Sequence, residues 1–175
     1  PGWSTGKFGI GTSFDGVDDY VNPTNSASLD PLGSAISFWF NPDSIGNGAF
    51  VGKNNDNDTY ILLNSSTVVR VQTDQTGTYK DFTVPSMSVG NWYHLVVTRS
   101  NNTTRVYLNG TESTSGGQTQ TDPFTITQIA KYSSGLVGAM YDGYLDEVRI
   151  YNRALSTTDI KDLYNFAPSP VAYWD

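Results

Sequence analysis

Asn91-Trp-Tyr-His-Leu-Val-Val-Thr-Arg99 alternates along its length: Trp92, His94 and Val96 point one way, and Tyr93, Leu95 and Val97 the other. Both sets are rather apolar, so the stretch reads as a strand inside a layered structure and not on its edge. Ser100-Asn101-Asn102 is a turn, after which Thr103-Thr-Arg-Val-Tyr-Leu-Asn109 returns as an antiparallel partner. Asn109-Gly110 is a second hairpin signal, because both residue types accept positive φ.

Outward from this hairpin, strand signals recur every eight to fifteen residues. Ala35-Ile-Ser-Phe-Trp-Phe40, Thr59-Tyr-Ile-Leu-Leu63, Thr67-Val-Val-Arg-Val71 and Tyr79–Val84 are β-branched or aromatic runs, most of them bounded by Gly, Asn or Pro. One helix is predicted near the C-terminus. Ser156-Thr-Thr-Asp159 has capping-box form, and Ile160, Leu163 and Tyr164 make an i, i+3, i+4 stripe that runs to about Phe166. Ala167-Pro168-Ser169-Pro170 then stops it. About a dozen strands and one short helix define an all-β chain, a two-sheet antiparallel β-sandwich.

Composition agrees. The 175 residues suit one domain. Charged residues make up only 15%, replaced by 20 Thr, 18 Ser, 14 Asn and 17 Gly, a mix that favours short strands and tight turns. The net charge is −7 and the ten Lys and Arg are scattered, so no basic face exists to hold a nucleic acid. No apolar run approaches the roughly 18 residues of a membrane helix, so no membrane insertion is expected. The absence of Cys excludes disulfides and thiolate metal sites. The chain opens at Pro1, as a mature product or excised piece would, and sequons at Asn57, Asn64, Asn101, Asn102 and Asn109 are compatible with secretion.

Six ordered motifs carry a family resemblance. They are Gly9-Ile-Gly-Thr-Ser-Phe-Asp-Gly-Val-Asp-Asp-Tyr-Val21, Ile36-Ser-Phe-Trp-Phe-Asn-Pro42, Val51-Gly-Lys53, Asn91-Trp-Tyr-His-Leu-Val-Val-Thr98, Arg105-Val-Tyr-Leu-Asn-Gly110 and Gly143-Tyr-Leu-Asp-Glu-Val-Arg-Ile-Tyr-Asn-Arg-Ala-Leu-Ser156. Together they resemble the laminin G-like and pentraxin-like jelly rolls of the concanavalin A-like superfamily, over roughly Phe8 to Tyr164. The resemblance implies a jelly-roll domain over residues 1–166, followed at 167–175 by a proline linker and a strand. That strand, with Val171, Ala172, Tyr173 and Trp174, looks like the opening strand of such domains, which is missing at this N-terminus. A unit of a tandem array is therefore expected, its last strand filling the vacant slot in its own chain or in a neighbouring copy.

The residues point away from catalysis. Glycosidases of the superfamily carry paired acids on one strand face, and hydrolysis needs them roughly 5–9.5 Å apart. This chain has two Glu, Glu112 and Glu147, on different segments, and neighbouring Asp146 and Glu147 fall on opposite strand faces. The one histidine, His94, reads as a packed sandwich residue. No catalytic residue is assigned.

Metal binding has two candidate places. On the final strand Asp146 is expected to share a face with the apolar Tyr144, Val148 and Ile150, where a carboxylate needs a partner or a cation. Asp15, Gly16, Asp18 and Asp19 form a turn that the resemblance places nearby. A structural Ca²⁺ joining Asp15, Asp18 and Asp146 is one expectation; turn-capping aspartates are the other. The second place is Asn54, Asn55, Asp56, Asn57 and Asp58, which resembles the loop that gives pentraxins and calcium-dependent laminin G modules their ligands. Lys131 and Tyr132 lie in the segment matching the pentraxin partner loop, where Lys131 opposes a cation.

Tyr60, Tyr79, Tyr132 and Tyr141 lie near loops, where exposed rings stack on sugars, whereas Trp39 and Trp92 sit in apolar strands as core. The expected function is a non-catalytic extracellular or cell-surface module recognising a glycan or glycoprotein. Its binding rim is expected at Asn54–Asp58, Ser115–Gly117 and Lys131–Ser134. The alternative is a structural repeat of a fibre or stalk, joined head-to-tail to neighbouring copies through the C-terminal strand.

Overall fold

The Asn-rich turns use their conformational freedom as expected. Asn101 and Asn102 take φ of 48° and 61°, and Asn109 and Gly110 take 50° and 76°. Positive φ at both central residues matches a two-residue turn to the right-handed twist of its flanking strands. The structure, a computed structural model, describes residues 1–53, 59–73, 79–132 and 140–166.

Strands β1 (Gly2–Thr5), β2 (Ile10–Asp15), β3 (Ala27–Leu29), β4 (Gly33–Pro42) and β5 (Gly48–Gly52) come first. They are followed by β6 (Tyr60–Ser65), β7 (Val68–Gln72), β8 (Tyr79–Thr83), β9 (Tyr93–Ser100) and β10 (Thr103–Leu108). The short β11 (Thr111–Glu112), β12 (Gln118–Thr119), β13 (Phe124–Ile126) and β14 (Gln128–Ile129) lead to the long β15 (Asp142–Tyr151) and helix α1 (Thr157–Asn165). An eight-stranded antiparallel sheet runs β1-β2-β15-β4-β9-β10-β11, with β12 also on β10, and faces a five-stranded sheet, β14-β5-β6-β7-β8. A two-stranded piece, β13-β3, completes the sandwich.

Pleat geometry decides what each strand buries. In β4, Ile36, Phe38 and Phe40 point between the sheets, where they pack with Phe50, Ile61, Leu63, Val71 and Phe82. Burying each such side chain contributes about 1.5–3 kcal/mol. The alternate residues of β4 and β9 face outward, yet Ala35 and Val96 are also buried, under Leu155 and Ile160 of the helix segment. That cover is why both faces of the Trp92–Val97 stretch are apolar. The helix starts where its capping box predicts: the Ser156 hydroxyl accepts from the Asp159 N–H at 3.1 Å, and the Asp159 carboxylate accepts from the Ser156 N–H at 2.8 Å.

One buried cation ties the periphery together. Arg99, 1% exposed, donates from its guanidinium to the carbonyls of Leu29, Gln120 and Asp122 at 2.7–2.8 Å. It thus fastens β3 and the approach to β13 onto the end of β9.

The final strand departs from simple alternation. Between Asp146 and Arg149 the pairing of β15 with β4 shifts register, and Glu147 sits at φ 53°. The extra residue reverses the facing of everything after it. Asp146, opposite Trp39, therefore shares the outer face with Arg149, opposite Ser37. Val148 packs against the inter-sheet core instead. The expected grouping of Asp146 with Val148 and Ile150 is corrected by this bulge.

Candidate functional site on the five-stranded sheet

Among the described residues no helix covers the outer face of the five-stranded sheet. Its floor is built by the residues that alternate with the core set: Ala49, Tyr60 and Leu62 form a small buried cluster, closed by Tyr132. Tyr132 comes from the segment after β14 and lies over Tyr60 with ring centroids 4.4 Å apart. Gly52 permits this approach, since a Cβ there would run into the Tyr132 side chain. Tyr60 is 7% exposed, and Tyr132 is the half-buried outer ring of the pair.

Beside the rings, β7 and β8 place Arg70 opposite Asp81. The guanidinium donates twice to the carboxylate, from Nε at 2.7 Å and from Nη2 at 2.9 Å. It also lies over the Tyr79 ring, 3.6 Å from its centroid. Burial and the neighbouring Tyr132 push the Tyr60 hydroxyl up to about 12, and burial raises Tyr132. Both phenols remain protonated at neutral pH, able to donate and to accept. The face thus combines a partly exposed aromatic platform with a neutralised ion pair, which suits a flat ligand rich in hydroxyls.

The other predicted residues are dispersed. Lys131 stands over the Tyr20 ring at 4.1 Å, next to Tyr132 in sequence. Asn54, Asn55, Asp56, Asn57 and Asp58 lie outside the described residues, as do Ser133 and Ser134 and the strand Val171, Ala172, Tyr173 and Trp174. At the Gly52 and Tyr60 end of the sheet the Lys53 N–H donates to the Thr59 carbonyl. The segment Ser115–Gly117 is elsewhere. The Ser115 hydroxyl accepts from the Thr83 N–H at 2.9 Å, at the far end of β8 from Tyr79. Tyr141 is fully buried and not a surface ring, its hydroxyl donating to the Tyr144 carbonyl at 3.3 Å. Trp39 is buried as expected, whereas Trp92 is half-buried at the edge of β9, 6.5 Å from Tyr144.

The aspartates separate into two places. Asp15 accepts from the backbone N–H groups of Val17, Asp18 and Asp19, which hold its carboxyl below the usual range, the Val17 bond most strongly. The carboxylate oxygens of Asp15, Asp18 and Asp19 lie within 4.8 Å of one another, and Asp19 also pairs with the amino group of Pro1. Asp146 is not with them. Register puts Asp142 opposite Asp15, and Asp146 lies four residues further, about 13 Å along the strand. Its carboxylate accepts from the N–H groups of Phe8 and Glu147, both at 2.8 Å, which satisfies a largely buried anion without a cation.

The two glutamates are engaged on the opposite sheet. Glu147 pairs with Arg149, while Glu112 pairs with Arg105 at 3.1 Å and accepts the Tyr107 hydroxyl. Their strands are four spacings apart, about 19 Å. His94 packs against both Trp39 and Tyr164, with ring centroids at 5.1 and 6.3 Å, and among the described residues its buried Nδ1 has no partner.

A two-sheet antiparallel jelly roll with an aromatic, polar outer face is the architecture of a lectin-like module. A laminin G family model, described as Concanavalin A-like lectin/glucanases superfamily, matches residues 15–161, and the chain belongs to that family. A search of curated proteins found no match. Among solved structures, the chain is similar to domain 4 of AbnA, a GH43 extracellular arabinanase from Geobacillus stearothermophilus, in complex with arabinotriose. The TM-score is 0.70 at 18% identity, over 93% of this chain and 80% of that one. It is similar also to a native heptameric SAP-like pentraxin from Limulus polyphemus, at TM-score 0.70 and 14% identity, over 87% and 80% of the two chains. The binding domain of Paraclostridial Mosquitocidal Protein 1 gives TM-score 0.63 at 21% identity, covering 94% of this chain and 45% of that one. At these identities the likeness shows the fold.

Proposed function

We propose that this chain is a non-catalytic module of an extracellular or cell-surface protein that binds a glycan or glycoprotein on the outer face of its five-stranded sheet. The observation that carries the reading is the Tyr132–Tyr60 ring pair beside the Arg70–Asp81 ion pair and Tyr79. Rings present a sugar-sized apolar surface, and the polar groups beside them supply hydroxyl partners. The arabinotriose held by a similar domain of an extracellular enzyme supports both ligand class and location. The engagement of Glu112 and Glu147 in separate ion pairs supports a role without catalysis. Titration of a glycan panel by calorimetry tests the reading: binding that Tyr132→Ala or Tyr79→Ala weakens at least about tenfold is expected, each ring contributing on the order of 1 kcal/mol or more. Absence of binding to every glycan overturns it.

The same proposal includes a Ca²⁺ held by the exposed carboxylates of Asp15 and Asp18 and the half-buried one of Asp19, with Asp146 excluded from the set. A rise of several degrees in the unfolding midpoint on replacing EDTA with Ca²⁺, lost in Asp18→Asn, is the expected result. No shift returns these aspartates to turn chemistry alone.

One observation favours a second reading, the structural repeat. Among the described residues strand β1 is an edge of the eight-stranded sheet, and its own Trp3 and the adjacent Ile10 of β2 are 83% and 71% exposed. An open strand edge next to apolar side chains accepts a further strand. Analytical ultracentrifugation over a dilution series distinguishes the readings: association removed by truncation after Pro168 supports the repeat, and a monomer at all concentrations discards it.

A further inference from the structure

The charged groups on the proposed sugar face are arranged to cancel. Among the described residues, those that act electrostatically on Tyr60 are Tyr132, Arg70, Asp81 and Tyr79. Arg70 and Asp81 are cross-strand partners with side chains 22% and 38% exposed, so both reach the surface at one spot. A guanidinium with its Nε and Nη2 edge open would grip a carboxylate or sulfate by two parallel bonds. Here that edge is closed by Asp81 at 2.7 and 2.9 Å, and one face of the guanidinium lies on Tyr79. An anionic ligand at this spot meets a carboxylate in place of an open cation. A hydroxyl meets carboxylate lone pairs that still accept. The net charge of −7 adds a weak long-range repulsion of polyanions.

We infer that this face selects neutral over acidic saccharides and that Asp81 is the specificity-determining residue. The inference rests on the glycan reading above and adds the ligand class. Asp81 accepts from sugar hydroxyls and denies Arg70 to carboxylates, a specificity obtained as much by repulsion as by attraction.

The test uses the full chain and matched oligosaccharides that differ only in a C6 hydroxymethyl group or carboxylate: gluco-, galacto- and manno-oligomers against their uronic acid counterparts. Affinities are measured by calorimetry at neutral pH and physiological salt. The wild type is expected to prefer the neutral member of its best pair by at least about tenfold. Asp81→Asn frees the Arg70 charge and is expected to reverse or erase that preference by raising affinity for the acidic member. Arg70→Gln leaves a lone carboxylate and is expected to weaken acidic binding further. The two variants move the acid-to-neutral ratio in opposite directions, a signature that misfolding does not produce, and circular dichroism confirms the fold of each. Sugar binding with a ratio that neither variant moves overturns the inference while leaving the glycan reading standing. A wild type that prefers uronic acids overturns it too. A wild type that binds no member of any pair, or any wider glycan panel, overturns both.

Discussion

The two sheets present outer faces of the same pleated geometry with opposite fates. On the eight-stranded sheet, helix α1 covers the face, and the aromatic residues beneath are Trp39 and His94, stacked on Tyr164, and Phe8, edge-on to Phe166. On the five-stranded sheet nothing comparable covers the face among the described residues, and the rings are Tyr60, Tyr79 and Tyr132 beside an ion pair. A hydroxyl sealed beneath the helix needs an internal partner, as Glu112 gives Tyr107, whereas one on a surface left wet is free to meet a ligand. The cover is therefore what separates the side that stabilises the fold from the side available to a ligand.

The largest expected effect comes from breaking the sealed side. Trp39 is 5% exposed and meets the rings of Phe8, His94 and Tyr164, with the Lys7 ammonium 4.6 Å from its own. Trp39→Ala is expected to cost about 3–5 kcal/mol in denaturant unfolding. A variant still folded at low temperature should bind sugar as the wild type does.

Acid sharpens the same contrast. Burial, aided by the Arg149 charge, pulls His94 down to about 4 from the ordinary histidine value of 6.5. The native state resists a proton that the unfolded chain takes up near 6.5, so the unfolded state binds more protons between those values. Stability from this source is intact above about pH 6.5, falls as pH drops toward 4, and is then exhausted. The loss is on the order of 3 kcal/mol. Urea unfolding at pH 7 and pH 4 should show it, and His94→Gln should remove that component of the slope.

A smaller effect concerns the cover itself. Ser156→Ala removes the helix cap and is expected to cost about 1 kcal/mol, read as a lower unfolding midpoint. Smallest is Asp81→Asn on the open side. Loss of a surface ion pair there should change stability by no more than about 1 kcal/mol, while the sugar preference changes.

How much of this was legible in the residues follows from which contacts are local. The hairpin β9–β10, its Asn turns and the capped helix depend on neighbours a few positions apart, and their sequence patterns describe them correctly. The proposed sugar face depends on Tyr60 and Tyr132, which are distant in sequence, and on the β7–β8 register that sets Arg70 against Asp81. Gly52 was the available hint, a glycine in an apolar strand where another side chain comes close. The two-sided burial of β4 and β9 was visible as continuous apolar character, but not that a helix supplies the second side. Asp146 was misplaced because alternation was extended through a bulge, and a single strand's side-chain pattern does not announce an extra residue.

That bulge has a further consequence. The last strand is written in two phases, one before Glu147 and one after it, and each phase matches a different layer of the molecule. In Leu145 the odd positions serve the interior; in Arg149 and Tyr151 they serve the helix side. Losing or gaining a residue elsewhere in the strand would act as a frame error in three dimensions, whereas losing Glu147 would not: Asp146 would still lie opposite Trp39 and Arg149 opposite Ser37, with Val148 between them toward the interior.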